Sequence, residues 1–231
     1  MTPRVKISSI FFDRDGTLTY YSREKKEWLA RTVESWSGRP LDLPYEKSME
    51  LMAAAGGGGK WYSCLEDERE FFFRYYRLML TGEGVTDDLD GRARTLLDEI
   101  WCNGDRLLFP ETVGVLEALK ERGYDLGVIS DTSPSLEFTL EQLGIAKYFR
   151  SFTASSLVGA YKPDPVIFNA ALAAHGAKAE ECVYVDDYKP EADGARELGF
   201  TSFLLDREGK EKGEWVIDSL WRIVEWVDGR V

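Results

Sequence analysis

The chain predicts an α/β fold, a parallel sheet covered on both faces by helices, with an all-helical insert after the first strand. Three observations carry this. Short apolar runs alternate with amphipathic segments from about residue 110 to residue 205. Several of these runs end abruptly in Asp or Ser. Residues 20–109 break the alternation and hold helical patterns without a convincing strand.

In chain order, Val5–Phe12 is an apolar run ending at Asp13, a buried strand that delivers a carboxylate at its C-terminal end. The insert reads as four helices: Arg23–Trp36, with Trp28, Leu29, Val33 and Trp36 near one side, then Pro44–Ala55, Glu66–Leu80 and Thr86–Trp101. Its aromatic run Phe71, Phe72, Phe73, Tyr75 and Tyr76 reads first as core, with a substrate-facing role as the alternative. Gly56–Gly59 reads as a flexible loop. Alternation resumes with a helix at Glu111–Arg122, closed by Gly123, and a strand at Asp125–Ser130. Ser133-Pro134 and Asp164-Pro165 each read as an N-cap with a first-turn proline, and their helices end at Gly144 and Gly176. Ser151–Ala154, Cys182–Val185 and Thr201–Leu205 are further strands. Pro190 opens another helix, and Glu214–Val227 reads as the closing one. This gives a Rossmann-like catalytic core from 1–19 and 110–231, with a helical cap domain at 20–109. In such sheets ligands bind beyond the carboxyl ends of the strands, where these polar residues converge.

The 231 residues carry a net charge of −12, a field that disfavours nucleic acid and anionic lipid as partners. An anionic substrate must then be drawn in by local positive charge or a metal. No apolar stretch is long enough to span a membrane, and Asp13 and Asp15 interrupt the N-terminal apolar run too early for a leader. Cys64, Cys102 and Cys182 are an odd, scattered set, which points to a reducing compartment. The expectation is a cytoplasmic protein of unknown oligomeric state. Its one histidine, His175, sits beside Gly176 and reads as a surface or C-cap residue. That argues against phosphohistidine, Ser-His-Asp and histidine-zinc chemistry.

The chemistry centres on Asp13-Arg14-Asp15-Gly16-Thr17-Leu18-Thr19. Two carboxylates one residue apart at a strand end suit a hard cation, and Gly16 permits a tight turn away from the strand. A bare pair of this kind is a solvated turn; the same pair followed by Gly-Thr after an apolar strand is far more specific.

These residues resemble the first motif of the haloacid dehalogenase superfamily, and three more motifs follow in order. Ser130 ends the second, Lys162 in AYKPDP resembles the third, and Asp186-Asp187 in VYVDDYKPEADGA resembles the fourth. The insert matches the position of the cap in that superfamily's capped branch. The resemblance implies Asp13 as covalent nucleophile and Asp15 as acid and base. It implies Mg²⁺ on the Asp13 carboxylate, the Asp15 carbonyl and the Asp187 carboxylate. Asp186 and Glu191 become candidates for orienting its waters, with Asp193 competing for Glu191's role. Ser130, Lys162 and the Asp131 backbone N–H would bind phosphate, although an acid at 131 departs from the usual Asn or Gly. Taken alone, Ser130 is an ordinary strand-end serine and Lys162 a solvated loop lysine; their order behind the Asp motif gives them roles.

The implied activity is a Mg²⁺-dependent phosphatase acting on a small phosphorylated metabolite through an aspartyl phosphate. A phosphomutase of the same family is the alternative, and a catalytically inactive binding module the outlier. A dehalogenase is disfavoured because that branch lacks the acid two residues after the nucleophile, and Asp15 is present.

Overall fold

Ser9–Phe12 (β1) is buried at all four positions because it runs through the middle of a sheet covered on both sides. The structure is a computed structural model that describes residues 6–57, 62–101 and 104–229; Val5, Gly58, Gly59 and Cys102 lie outside these. The strands flanking β1 are Asp125–Ser130 (β4) and Cys182–Asp186 (β6), both parallel to it. Phe149–Ala154 (β5) extends the sheet beyond β4, and Thr201–Leu205 (β7) and Val216–Ile217 (β8) extend it beyond β6. The order β5-β4-β1-β6-β7-β8 is the expected parallel α/β sheet.

Side chains two apart share a face of a strand, so the sheet sorts its residues into two cores. Ile10, Phe12, Leu126, Val128, Val183 and Val185 pack with Thr112–Glu121 (α5), Leu136–Gln142 (α6) and Trp221–Asp228 (α10) on one face. Phe11, Ile129, Cys182 and Tyr184 pack with Ser155–Val158 (α7), Pro165–His175 (α8) and Lys189–Glu197 (α9) on the other. Asp164 caps α8 as expected, accepting from the Val166 N–H at 2.9 Å.

The chain divides into two compact units: Met1–Tyr20, Leu108–Thr132 and Leu136–Val231 form one, Tyr21–Leu107 with Ser133–Ser135 the other. The second unit holds Arg23–Ser37 (α1), Tyr45–Met52 (α2), Leu65–Gly82 (α3) and Leu89–Ile100 (α4). Its core is aromatic and aliphatic: Phe71, Tyr75 and Tyr76 are buried with Val33, Met79, Leu80 and Leu96, and Phe72 and Phe73 pack partly buried against them. A single turn at Ala53–Gly57 follows α2 and contains Gly56 at φ 102°.

Four expectations are corrected. The insert is not free of strands, since Thr19–Tyr21 (β2) pairs with Arg106–Leu108 (β3) at its two ends. Ser133 and Pro134 do not open a helix; α6 starts at Leu136, and Ser135 is held instead by Glu68 of α3, which accepts its N–H at 2.9 Å and its hydroxyl at 2.7 Å. The closing helix starts at Trp221, because Val216–Ile217 ahead of it adds to the sheet edge. His175 is not on the surface: it is 2% exposed, with Nδ1 2.7 Å from Ser151 Oγ and its ring 4.6 Å from that of Phe11. Among the described residues no helix is long and apolar enough to cross a membrane.

Candidate active site

β1 delivers Asp13 one residue past its end, and the Asp13 N–H still bonds to the Val185 carbonyl of β6 at 2.9 Å. The chain then turns at once. Gly16 (φ 85°) donates to the Thr19 carbonyl at 2.7 Å, and the Arg14 carbonyl accepts from Leu18 and Thr19. Gly16 is required twice over, by its left-handed backbone and by close approach: a Cβ there would lie 2.1 Å from Asp187 Oδ2. The Asp187 carboxylate is thus seated against the Asp15–Gly16 backbone, with Thr17 Oγ1 3.5 Å from Oδ1.

Asp15 is held within its own loop. Arg14, 3% exposed, forks its carboxylate at 3.1 and 2.7 Å, and Thr19 donates to it at 2.9 Å. The arginine between the two acids was given no role from sequence.

Lys162 is the centre of a buried ionic cluster. Its Nζ lies 2.7 Å from Asp13 Oδ1, 2.8 Å from Asp186 Oδ2, 2.6 Å from Glu191 Oε2 and 3.0 Å from the Tyr184 hydroxyl. Burial opposes the ammonium, but Asp13, Tyr184, Asp186 and Glu191 outweigh it and hold Lys162 well above its ordinary pKa. Burial raises Asp13 to about 7 against the pull of Lys162. Burial likewise raises Glu191 to about 8, again opposed by Lys162. Asp187 is also raised, by burial and then by Asp186.

Of the residues in question around the fourth motif, Glu191 reaches the cluster and Asp193 does not: Asp193 pairs with Lys189 and Arg196 instead. Asp186 is fully engaged, taking Lys162 and Tyr184 on Oδ2 and the Tyr188 N–H on Oδ1 at 2.8 Å. Asp131 has a structural employment that sequence did not reveal. Its Oδ1 accepts the Lys162 N–H at 3.0 Å, tying the loop after β4 to the loop that carries the lysine. Burial raises its pKa. Ser130 is buried at the end of β4.

Asp13, Ser130 and Asp186 therefore stand at the carboxyl ends of three neighbouring strands, with Lys162 between Asp13 and Asp186. An open cleft of about 460 Å³ lies beside this cluster, lined by Gly16, Phe109, Asp187, Tyr188, Lys189 and Arg207 and not by Asp13, Ser130 or Lys162. Carboxylate oxygens of Asp13, Asp186 and Glu191 lie within 4.8 Å of one another, but all three carboxylates bond Lys162 Nζ; the Asp187 carboxylate, which fills the space that Gly16 leaves open, and Asp13 are the oxygen donors of the kind a hard divalent cation takes.

The family model for haloacid dehalogenase-like hydrolases matches residues 7–199. The chain belongs to that family. Within it, the chain is 27% identical over 217 residues to a phosphatase of Mycobacterium tuberculosis, covering 93% of this chain and 94% of the relative. It is 32% identical over 233 residues to an (S)-2-haloacid dehalogenase of a Pseudomonas species, covering 95% and 94%. The crystal structure of a HAD phosphatase from Thermococcus onnurineus superposes with a TM-score of 0.62 at 20% identity, covering 96% of this chain and 99% of that one, and shares the fold. The phosphoric monoester hydrolase class implied by the motifs is thus represented among the family's named relatives of this chain.

Proposed function

We propose that the protein is a Mg²⁺-dependent phosphatase that hydrolyses a small phosphorylated metabolite through an aspartyl phosphate on Asp13. The observation that carries this reading is the pairing of Asp13 with a second carboxylate, Asp15, in the same tight loop, with Asp187 seated against that loop. A dehalogenase needs no second acid there. The dehalogenase relative is a specific reason to keep that reaction as the competing reading.

Asp13, the Asp15 carbonyl and Asp187 would hold the metal, which supplies positive charge between two anions that otherwise repel. The Asp13 carboxylate attacks phosphorus, and the bond to the leaving oxygen breaks as Asp15 protonates that oxygen. Asp15 then takes a proton from water, which attacks phosphorus, frees phosphate and restores Asp13. Lys162 neutralises Asp13 and sets fixed positive charge beside the transferring group, with the Ser130 hydroxyl as a donor to it. Asp186 and Glu191 fix Lys162. These groups grip only phosphate and metal, so the choice of leaving group belongs to the helical unit acting as a cap.

The test is a panel of phosphorylated metabolites and 2-haloacids assayed with Mg²⁺ and with chelator. Metal-dependent phosphate release supports the proposal. Halide release without phosphate release overturns it in favour of the dehalogenase, and isomer formation without phosphate release redirects it to a phosphomutase.

A further inference from the structure

One buried hydroxyl is unaccounted for by these roles. Tyr184 lies in the middle of β6, fully buried against Phe11, Phe168 and Phe200, with the Phe168 ring edge-on at 5.4 Å. Phenylalanine would fill that apolar space equally well, and a hydroxyl taken out of water there is costly unless it is hydrogen-bonded. The strand's two-residue period supplies the partner. Tyr184 and Asp186 point to the same face, and the tyrosine O–H donates to Asp186 Oδ2. The same oxygen of the hydroxyl accepts from Lys162 Nζ at 3.0 Å, and Lys162 in turn donates to Asp13 Oδ1 at 2.7 Å.

The arrangement counts out closely. Lys162 has three N–H groups and four oxygens around it: Asp13, Asp186, Glu191 and Tyr184. With carboxylates alone, the ammonium could drift toward the Asp186–Glu191 side, where two negative charges compete with Asp13 for it. The tyrosine proton occupies Asp186 Oδ2 and the Tyr188 N–H occupies Oδ1, so part of that pull is answered by neutral donors.

We propose that Tyr184 is a positioning residue: it satisfies Asp186 from below and so keeps the Lys162 ammonium aimed at the Asp13 carboxylate. This rests on the reading of Asp13 as nucleophile and Lys162 as its partner. Tyr184 touches neither substrate nor metal; it acts through Asp186 and Lys162.

The test uses phosphate release from p-nitrophenyl phosphate at saturating Mg²⁺, with melting temperature measured in parallel. Tyr184→Phe removes one hydrogen bond to a charged group, and kcat is expected to fall about tenfold with KM within about twofold. Phe168→Leu disturbs the packing around Tyr184 but leaves its hydroxyl; it should lower the melting temperature and spare kcat. The double variant Tyr184→Phe/Asp186→Asn should lose no more kcat than Asp186→Asn alone, because both changes cut one relay. Wild-type kcat in Tyr184→Phe, or full additivity with Asp186→Asn, overturns the proposal. Should Tyr184→Phe not fold, Asp186→Asn alone carries the test, and wild-type kcat there overturns it. Asp13→Asn in the same assay separates the two levels: activity surviving in that variant sinks the nucleophile reading itself, whatever Tyr184→Phe does.

Discussion

The two units each bury an ionic cluster, and the clusters are built to opposite rules. In the helical unit Glu83, 2% exposed, meets two cations, Lys47 at 2.6 Å and Arg39 at 3.5 Å. Both cations reach solvent and also bond backbone carbonyls, Lys47 that of Asp42 and Arg39 that of Gly82. In the sheet unit the ratio is reversed: one cation, Lys162, faces three carboxylates, and all four groups are buried or nearly so. The first cluster surrounds one buried carboxylate with two cations that reach solvent, and it serves the fold. The second gathers three carboxylates around one cation, and under the proposed function a divalent cation would offset the excess.

The comparison can be broken most forcefully at Asp13. Asp13→Asn is expected to lower kcat by roughly 10³-fold or more while leaving the fold intact, since an amide is a very poor nucleophile. Circular dichroism checks the fold and phosphate release the rate. Lys162→Met removes the single cation and should cost about 10²-fold or more in kcat. The matching change in the other unit, Glu83→Gln, should leave kcat unchanged and destabilise by about 1–3 kcal/mol, measured by urea denaturation. A loss of turnover there would erase the distinction between the clusters.

Mg²⁺ sharpens the contrast. Saturation at about 100 times its Kd should stabilise the protein by about 2.7 kcal/mol, seen as a rise in melting temperature. Asp187→Ala should abolish that rise, and Glu83→Gln should keep it.

The smallest effect is at His175. Burial first, then Arg150 and Lys120, hold its pKa below the ordinary histidine value, with only Asp125 opposing. The unfolded chain therefore binds a proton that the folded chain resists. The stability this contributes is present above the unfolded value and is lost as pH falls through the folded one. His175→Gln should flatten the acid side of the stability–pH curve, leaving the neutral side nearly level.

Sequence periodicity carried the sheet well. The apolar runs ending at Asp13, Ser130 and Asp186 are the central strands β1, β4 and β6, and their polar ends converge. The reading ran short where one residue type serves two purposes. Tyr184 is one more aromatic in an apolar strand, and nothing in a linear pattern shows where its hydroxyl points. Asp131 looked like an anomaly beside a phosphate site, and its use is a backbone N–H thirty-one residues away. Glu191 and Asp193 were separable in principle: Asp193 has Lys189 four residues before it and Arg196 three after, the spacing of surface helix pairs. Ser133-Pro134 carried a helix-start signature, yet Ser135 is held by Glu68, a tertiary contact that overrides local preference. The β8 pairing of Val216–Ile217 is too short for periodicity to register.

The central claim is that Asp13 becomes phosphorylated during turnover. Rapid acid quench of the enzyme turning over p-nitrophenyl phosphate with Mg²⁺, followed by peptide mass spectrometry, tests it directly. The account predicts one phosphoryl group on the peptide containing Asp13, and none when Asp13→Asn is treated alike. A phosphoryl group on another peptide, or undiminished turnover by Asp13→Asn, would contradict it.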